Sequence, residues 1–485
     1  MDKHPHESID TVFDCVIPYI HNGDDRNVVS LVCRRWYELD CMARKHLTVH
    51  VFYSLEPSHV AQRFPYLESL TLKGFPREFQ NLQYIDLKPW IKEIVSSFKC
   101  LKALDIRRVL VHDSDLELLA RSRGKDLRVL KINNCKYRGK INNCKYRGNG
   151  FMHIGRHCNN LRTLCLEDDT KNLKIWKSLH ELALNNTHIE SVKFSSPISE
   201  YGVKVLKLLA KSCSQSLVSL KMGECYLSHL RGVFKHAVNL KDFACCELQK
   251  VGQEGEYVGF SFPPNMRCIC INSIDKIGLP FVLSLSNQLR ELNLKHLNED
   301  NQCSLIRNCP NLEALYINDM FGDNVLQVIG QSCKKLRKLK TDGLAVTHMG
   351  LTDLAQGCLE LECLHINSSK HISNESFVCI GSHLKNLVDF HITLHYSASV
   401  LGSGIGAMLI GCSKLKRLRI NPCGGQLTNV SLSYIGKYGH NLRYLSLGYT
   451  REFEAGLVEL SKGCPKLRKL EIKNCASSKQ ALSLL

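Results

Sequence analysis

Along most of the chain apolar residues recur in one short pattern, seen most plainly at Cys464-Pro465-Lys466-Leu467-Arg468-Lys469-Leu470-Glu471-Ile472-Lys473-Asn474-Cys475. The form is C-x-x-L-x-x-L-x-L-x-x-C. Its closing alternation predicts an extended strand with one buried face, entered from a turn that buries the first leucine. The same form is anchored at Leu67, Leu101, Leu127, Leu161, Ile189, Leu217, Leu240, Met266, Leu289, Leu312, Leu336, Leu361, Leu387, Leu415, Leu442 and Leu467, sixteen units in all. Most anchors lie 23 to 28 residues apart, room for one strand, one helix and two turns. A unit of that size cannot bury its own leucines, so each must stack on the next.

The pattern predicts an α/β fold, a leucine-rich-repeat solenoid or horseshoe over residues 49–485. Residues flanking the second and third leucines of each unit then line a concave face in rows. Residues 8–48 follow another rule. Ile9, Val12, Phe13, Val16, Ile17 and Ile20, and then Val28, Val29, Leu31, Val32 and Trp36, recur at helical spacing. An all-α head of two or three short helices is expected, with Asn22-Gly23-Asp24-Asp25 as a turn that caps the next helix. A head of that size has little core, so part of its apolar surface should serve a partner.

Two intervals are too long for a plain unit. Between Leu67 and Leu101 the surplus is Gly74 to Trp90. Phe79, Tyr84, Ile85, Leu87 and Trp90 make it too apolar for a solvated loop, and it should fold over the top of the horseshoe and wall a central site. Between Leu127 and Leu161 the cause is a repetition, because Lys131 to Gly139 and Lys140 to Gly148 both read KINNCKYRG. Only the first copy follows Leu127 and Leu130, so Ile132 should be the buried strand residue and the second copy a bulged loop. Gly252, Gly255 and Gly259 precede Pro263-Pro264 in the loosest unit, but no helix start follows them as a phosphate cradle requires. The chain ends at Leu485 inside a unit without a polar cap, where a solenoid end is expected to be covered.

No run of about 18 apolar residues is present, and no signal peptide opens the sequence, so a soluble intracellular protein with no membrane partner is expected. The chain has 24 cysteines. Cys158, Cys213, Cys309, Cys333, Cys358, Cys412 and Cys464 fall at repeat turns and read as small buried hydrophobes in a reducing compartment. A net charge of +18 implies an acidic partner. The inward rows carry Lys73, Arg107, Lys131, Lys193, Lys221, Lys295, Lys338, Lys340, Arg417, Arg419, Lys469 and Lys473 against fewer carboxylates, which suits a compact polyanion. Those rows hold only Tyr316 and Tyr444 for stacking, which weakens the alternative that this basic solenoid binds RNA; binding of an acidic protein is the other form of that alternative. No nucleophile elbow, HExxH, Walker loop or C-x-x-C pair occurs, and the chain reads as a non-enzyme.

Asp25-Arg26-Asn27-Val28-Val29-Ser30-Leu31-Val32-Cys33-Arg34-Arg35-Trp36-Tyr37 resembles the second half of an F-box, the module that docks on the Skp adaptor of cullin-RING ubiquitin ligases. Further along, Arg63-Phe64-Pro65, Leu72-Lys73-Gly74-Phe75-Pro76-Arg77, Lys88-Pro89-Trp90, Leu432-Ser433-Tyr434-Ile435-Gly436 and Leu447-Gly448-Tyr449 resemble the plant hormone receptors of the coronatine-insensitive and auxin-receptor type. Ala355-Gln356-Gly357-Cys358 and Leu384 to Phe390 bring it nearer the jasmonate branch.

That resemblance implies the substrate-recognition subunit of a ligase, working in nucleus and cytoplasm, with a Skp-type adaptor and a cullin as partners and a transcriptional repressor as the protein sent to the proteasome. It implies adaptor contacts at Val12, Val16, Ile20, Leu31 and Val32. It implies a buried inositol polyphosphate as cofactor, with Lys73, Arg77, Arg107, Arg108 and Lys340 as contacts, although Thr71 and Asp105 stand where family phosphate contacts are expected. A jasmonate-type hormone pocket is implied around Arg77, Phe79, His391, Leu447, Lys469 and Lys473. There the family's arginines and tyrosines have become Thr341-Asp342-Gly343, His391, Asn367, Asn421 and Lys473, so weakened hormone recognition is expected. Cys363, His365, Asp389 and His391 fall on neighbouring rows at a spacing that could gather zinc. Divergence of the pocket is the reading adopted for them, and no metal is assigned.

Overall fold

The computed structural model describes residues 16–20, 23–53, 56–76, 84–138, 149–167, 175–196, 198–223, 225–245, 248–249, 260–271, 274, 279–319, 321–342, 346–370, 372–395, 401–422, 427–448 and 454–473. Arg77, Phe79, Val12, the second KINNCKYRG copy and the glycine-rich stretch lie outside them, as does the side chain of Lys473. The chain forms two compact units, Met1–Cys225 with His229–Leu240, and Tyr226–Ser228 with Lys241–Leu485.

The first unit opens with a 3-10 turn, Ile17–Tyr19, and helices Gly23–Val29 and Arg34–Ala43. Gly23 to Asp25, expected as a turn, belong to the first of these helices. Strands His46–His50, Ser69–Lys73, Ala103–Arg107, Val129–Asn133, Thr163–Glu167, Ser191–Phe194 and Ser219–Met222 follow, each parallel to the one before. Helices such as Asp113–Arg123 and Glu200–Ser212 make the crossovers between them. The second unit repeats the plan from Asp242–Cys245 to Lys469–Lys473. This is a leucine-rich-repeat solenoid behind a helical head.

Strand alternation assigns the two faces. In Ser69–Lys73 and Ala103–Arg107, Leu70, Leu72, Leu104 and Ile106 are fully buried while the residues between them are half-exposed. Ile132 is fully buried and Lys131 pairs in register with Asp105, so the first KINNCKYRG copy supplies the strand. Trp90, expected in a loop wall, sits instead in helix Lys88–Ser96 with Ile91 and Ile94, all three buried. Asp86 explains the early start, because its carboxylate accepts from the Lys88 amide at 2.9 Å and brings Pro89 to the first turn.

The repeat cysteines form a ladder. Cys213 donates to the Asn186 carbonyl at 3.3 Å, Cys358 to Cys333 at 3.4 Å and Cys412 to Leu384 at 3.4 Å, so each thiol satisfies a carbonyl of the preceding repeat. Burial pushes the thiols of Cys158, Cys309, Cys333 and Cys358 up to about 12. Asparagines before the anchor leucines do similar work. Asn160 donates to Lys125 O at 2.9 Å, Asn311 to Asn287 O at 2.9 Å and Asn441 to Ser413 O at 2.9 Å. Neighbouring helices approach through glycine, and a Cβ on Gly357 would fall on the Gly330 carbonyl.

Candidate functional site

Three surfaces of the described residues combine chemistry with access. The first is the helical head. Leu31 is 84% exposed, Val32 58% and Val16 45%, with Tyr19, Val28 and Tyr37 also exposed. Ile20 is half-exposed, and Ile17 beside it is buried. Water rarely faces so many large apolar side chains on so small an element unless a partner covers them.

Beneath that surface the head is held by charge. Asp40 is fully buried, accepting from Arg26 Nε at 2.9 Å and from Arg44 Nη2 at 2.7 Å and Nε at 3.1 Å. Arg44 Nη1 also donates to Asn27 Oδ1 at 3.0 Å, tying the two helices together. Arg44 lies over the Phe64 ring at 5.1 Å, and Arg63 over Tyr37 at 4.4 Å, which couples the head to the first repeat. Arg26, Asn27, Tyr37, Arg63 and Phe64 lie in stretches the resemblance covers, but Asp40 and Arg44 do not. The spacing of Asp40 and Arg44, one turn apart on a helix, was the available signal.

The second surface is the strand face of the first unit. One row runs Thr48, Thr71, Asp105, Lys131, Cys165, Lys193, Lys221, and the next His50, Lys73, Arg107, Asn133, Glu167. Lys73 and Arg107 are therefore cross-strand neighbours. Arg107 holds Asp105 with two bonds, Nη2 to Oδ2 at 2.6 Å and Nε to Oδ1 at 3.0 Å, and that hydrogen bond raises the guanidinium further above its already high value. Lys193 pairs with Glu167. Arg108 has left-handed backbone, φ 56, and donates its Nε to the Phe75 carbonyl at 2.7 Å. Phe75 stacks on Phe52, ring centroids 5.4 Å apart. The two rows carry Lys73, Arg107, Lys131, Lys193 and Lys221 against Asp105 and Glu167, leaving the patch positive.

The third is the strand face of the second unit. Its first row runs Lys338, Cys363, Asp389, Arg417, Tyr444, Lys469, and its second Lys340, His365, His391, Arg419, Ser446, Glu471. Lys340 thus belongs to this face, beside His365. Tyr444 is the hub of the late strands. It accepts from Arg419 Nη2 at 2.6 Å, donates to Glu471 Oε2 at 2.7 Å, and carries Arg417 over its ring at 5.0 Å. Lys469 is paired with Glu471 at 2.7 Å.

The two histidines stand edge to face, ring centroids 5.4 Å apart. Burial pushes His391 down to about 4, with Arg419 and His365 adding to the effect, so the ring is neutral at pH 7. Its Nε2 lies 3.3 Å from Asn421 Nδ2. Asn367 donates to Asp342 Oδ1 at 2.7 Å. Burial opposes ionisation of Asp389, yet His365 Nε2 at 3.1 Å and Arg417 at 3.6 Å hold its carboxyl below the usual range. Arg419 Nε, Asn421 Oδ1 and Ser446 Oγ are shielded from solvent without a hydrogen-bond partner among the described residues. Orphaned polar atoms grouped on one face mark it as a surface that a polar ligand would complete.

One expected pocket residue is corrected. Leu447 is fully buried and pairs in register with Ile420 and Ile472, on the core side of its strand. Alternation puts Tyr444 and Ser446 in the outward rows, although both are buried as well. No described helix is long and apolar enough to cross a membrane.

Comparison with known proteins adds three findings. The F-box family model matches residues 5–46. Coronatine-insensitive protein 1 of Arabidopsis thaliana is 36% identical over 504 residues, covering 98% of this chain and 83% of that protein. Coronatine-insensitive protein homolog 1a of Oryza sativa subsp. japonica is 36% identical over 498 residues, covering 98% and 82%, and GRR1-like protein 1 of Arabidopsis thaliana is 28% identical over 518 residues, covering 97% and 83%.

Proposed function

The chain belongs to the coronatine-insensitive family of F-box leucine-rich-repeat proteins, and from that premise we propose that it is the substrate-recognition subunit of a Skp–cullin–F-box ubiquitin ligase. The observation that carries this is the exposure of Leu31, Val32 and Val16 on a head whose interior is fixed by the Asp40 ion pairs. Burying one such side chain against an adaptor contributes roughly 1.5–3 kcal/mol, so a few of them supply the affinity of a stable subunit. The chain itself would position a substrate, and ubiquitin transfer would be done by the other subunits. Its working compartments would be nucleus and cytoplasm.

The repeats then hold what is to be degraded, a transcriptional repressor. An inositol polyphosphate fits the strand face of the first unit in charge, since Lys73, Arg107, Lys131, Lys193 and Lys221 outnumber Asp105 and Glu167 there. When bound, the polyphosphate would supply a fixed cluster of anionic acceptors. Lys73, Arg107 and Lys131 would hold it through charge-assisted hydrogen bonds, with Arg107 shared between phosphate and Asp105. Hormone recognition on the second unit is weakened in this reading. His391 brings no charge at pH 7, and Asn367 is already engaged with Asp342.

Co-expression with a Skp-type adaptor tests the proposal. The pair should co-purify at one to one, and a pull-down from source tissue under proteasome inhibition should then enrich a nuclear repressor. Recovery of the chain without adaptor, but with RNA, would favour the basic-solenoid alternative.

A further inference from the structure

Outside the head and the polyanion patch, one cluster combines soft, borderline and hard metal ligands. Cys363 and His365 lie two residues apart on strand Cys363–Lys370, so both point to the same face. Asp389 is the cross-strand partner of Cys363, and His391 that of His365. One ligand atom each from Cys363, His365 and Asp389 lie within 4.8 Å of one another, whereas His391 stands outside that set and turns its Nε2 to Asn421. Tetrahedral zinc with bonds of about 2.0–2.3 Å needs its ligands about 3.5 Å apart, a closure within reach of small side-chain rotations.

A second observation concerns how the three are held. His365 Nε2 is shielded from solvent and, although 3.1 Å from Asp389 Oδ1, has no well-aligned hydrogen bond. Asp389 turns its other oxygen, Oδ2, toward Arg417 at 3.6 Å. One carboxylate oxygen is thus free to leave the ring for a metal while the other keeps its orienting partner, as outer-shell contacts do in zinc sites. Lys338 and Lys340 on one neighbouring strand, and Arg417 and Arg419 on the other, flank the cluster. A thiolate and a carboxylate contribute two negative charges, which balance those of a divalent ion.

We propose that Cys363, His365 and Asp389 form a binding site for a zinc-class transition-metal ion, with the fourth coordination position open. Mixed sulfur, nitrogen and oxygen ligands select zinc or cobalt over calcium and magnesium, which take oxygen alone. The orphaned Arg419 Nε and Ser446 Oγ lie in the same row as His365, so a polar group of an incoming protein or small molecule that reached them could complete the sphere. The inference does not depend on the ligase reading.

The test uses the full chain, chelator-treated and reduced, titrated with cobalt(II) and then zinc(II). Expected are a thiolate-to-cobalt charge-transfer band and visible bands of tetrahedral intensity that saturate at one equivalent, and displacement of cobalt by zinc. Loss of an outer-shell partner alone weakens such sites about 10–100-fold, so Cys363→Ser should abolish the charge-transfer band and weaken zinc binding at least about 100-fold. Asp389→Asn should weaken it less. Cys33→Ser, at an exposed thiol away from the cluster, should change neither. Wild-type protein that gives no charge-transfer band overturns the proposal without recourse to any variant. So does a band that survives Cys363→Ser but is lost in Cys33→Ser.

Discussion

Arg44 grips Asp40 across one turn of helix Arg34–Ala43, Nη2 to Oδ2 at 2.7 Å, with neither side chain appreciably exposed. Arg26 reaches the same carboxylate from the preceding helix. Breaking a buried pair by removing one partner costs about 3–5 kcal/mol, because an unpaired charge is left inside. Asp40→Ala should therefore melt the head before the repeats, seen as selective proteolysis within residues 16–45. It should lose adaptor binding without touching the apolar face.

The cysteine ladder predicts a pH limit. Thiols whose ordinary value is near 9 are held at about 12 by burial in Cys158, Cys309, Cys333 and Cys358. A folded value raised above the unfolded one contributes stability that is complete below pH 9 and is lost as pH rises towards 12. Each such thiol should cost about 1.4 kcal/mol per pH unit in that window. Denaturant midpoints should hold between pH 8 and 9 and fall steeply above pH 9. At pH 8 a thiol reagent should modify exposed Cys33 promptly and the ladder cysteines only after unfolding.

His391 lies between His365 and Arg419 and stays neutral. Replacing it with arginine places a permanent fork on that face. A hydrogen bond to a charged group contributes about 1.5–3 kcal/mol, so His391→Arg should raise affinity for a hormone carboxylate roughly ten- to hundredfold. Hormone-dependent capture of a jasmonate-repressor peptide should be weak in the native chain and stronger in the variant. Equal capture by both would show that this face does not read the carboxylate.

The nine residues from Lys140 to Gly148 repeat those of a strand already seated, since Val129–Asn133 is in register with both neighbours. Deleting them should change unfolding free energy by no more than about 1 kcal/mol, as expected for shortening a loop. A larger loss in a denaturant titration would mean that the second copy packs on the repeat.

What sequence made legible follows from periodicity. Anchors such as Leu67, Leu289 and Leu361 are fully buried, because alternation and repeat length leave them no other place. Trp90 and Leu447 were misplaced for related reasons. The length of an interval does not say where a helix begins, which hides the helix that holds Trp90, and a motif match does not say which residue of a strand faces outward, which hides that Leu447 faces the core. The Asp40 ion pairs and the Tyr444 hub depend on which side chains meet across helices and strands, and spacing along one element does not report that. The four-residue zinc geometry was read from rows alone, and side-chain direction reduces it to three.

The central claim is that the head docks on a Skp-type adaptor through its exposed apolar side chains. The most direct measurement is the affinity of the purified chain for that adaptor, compared with Leu31→Asp, Val32→Asp, whose fold is checked by circular dichroism. The loss of two buried apolar contacts and the burial of two carboxylates should remove at least about 4 kcal/mol, a factor of roughly a thousand. Adaptor binding of undiminished strength by the folded double variant would contradict the account.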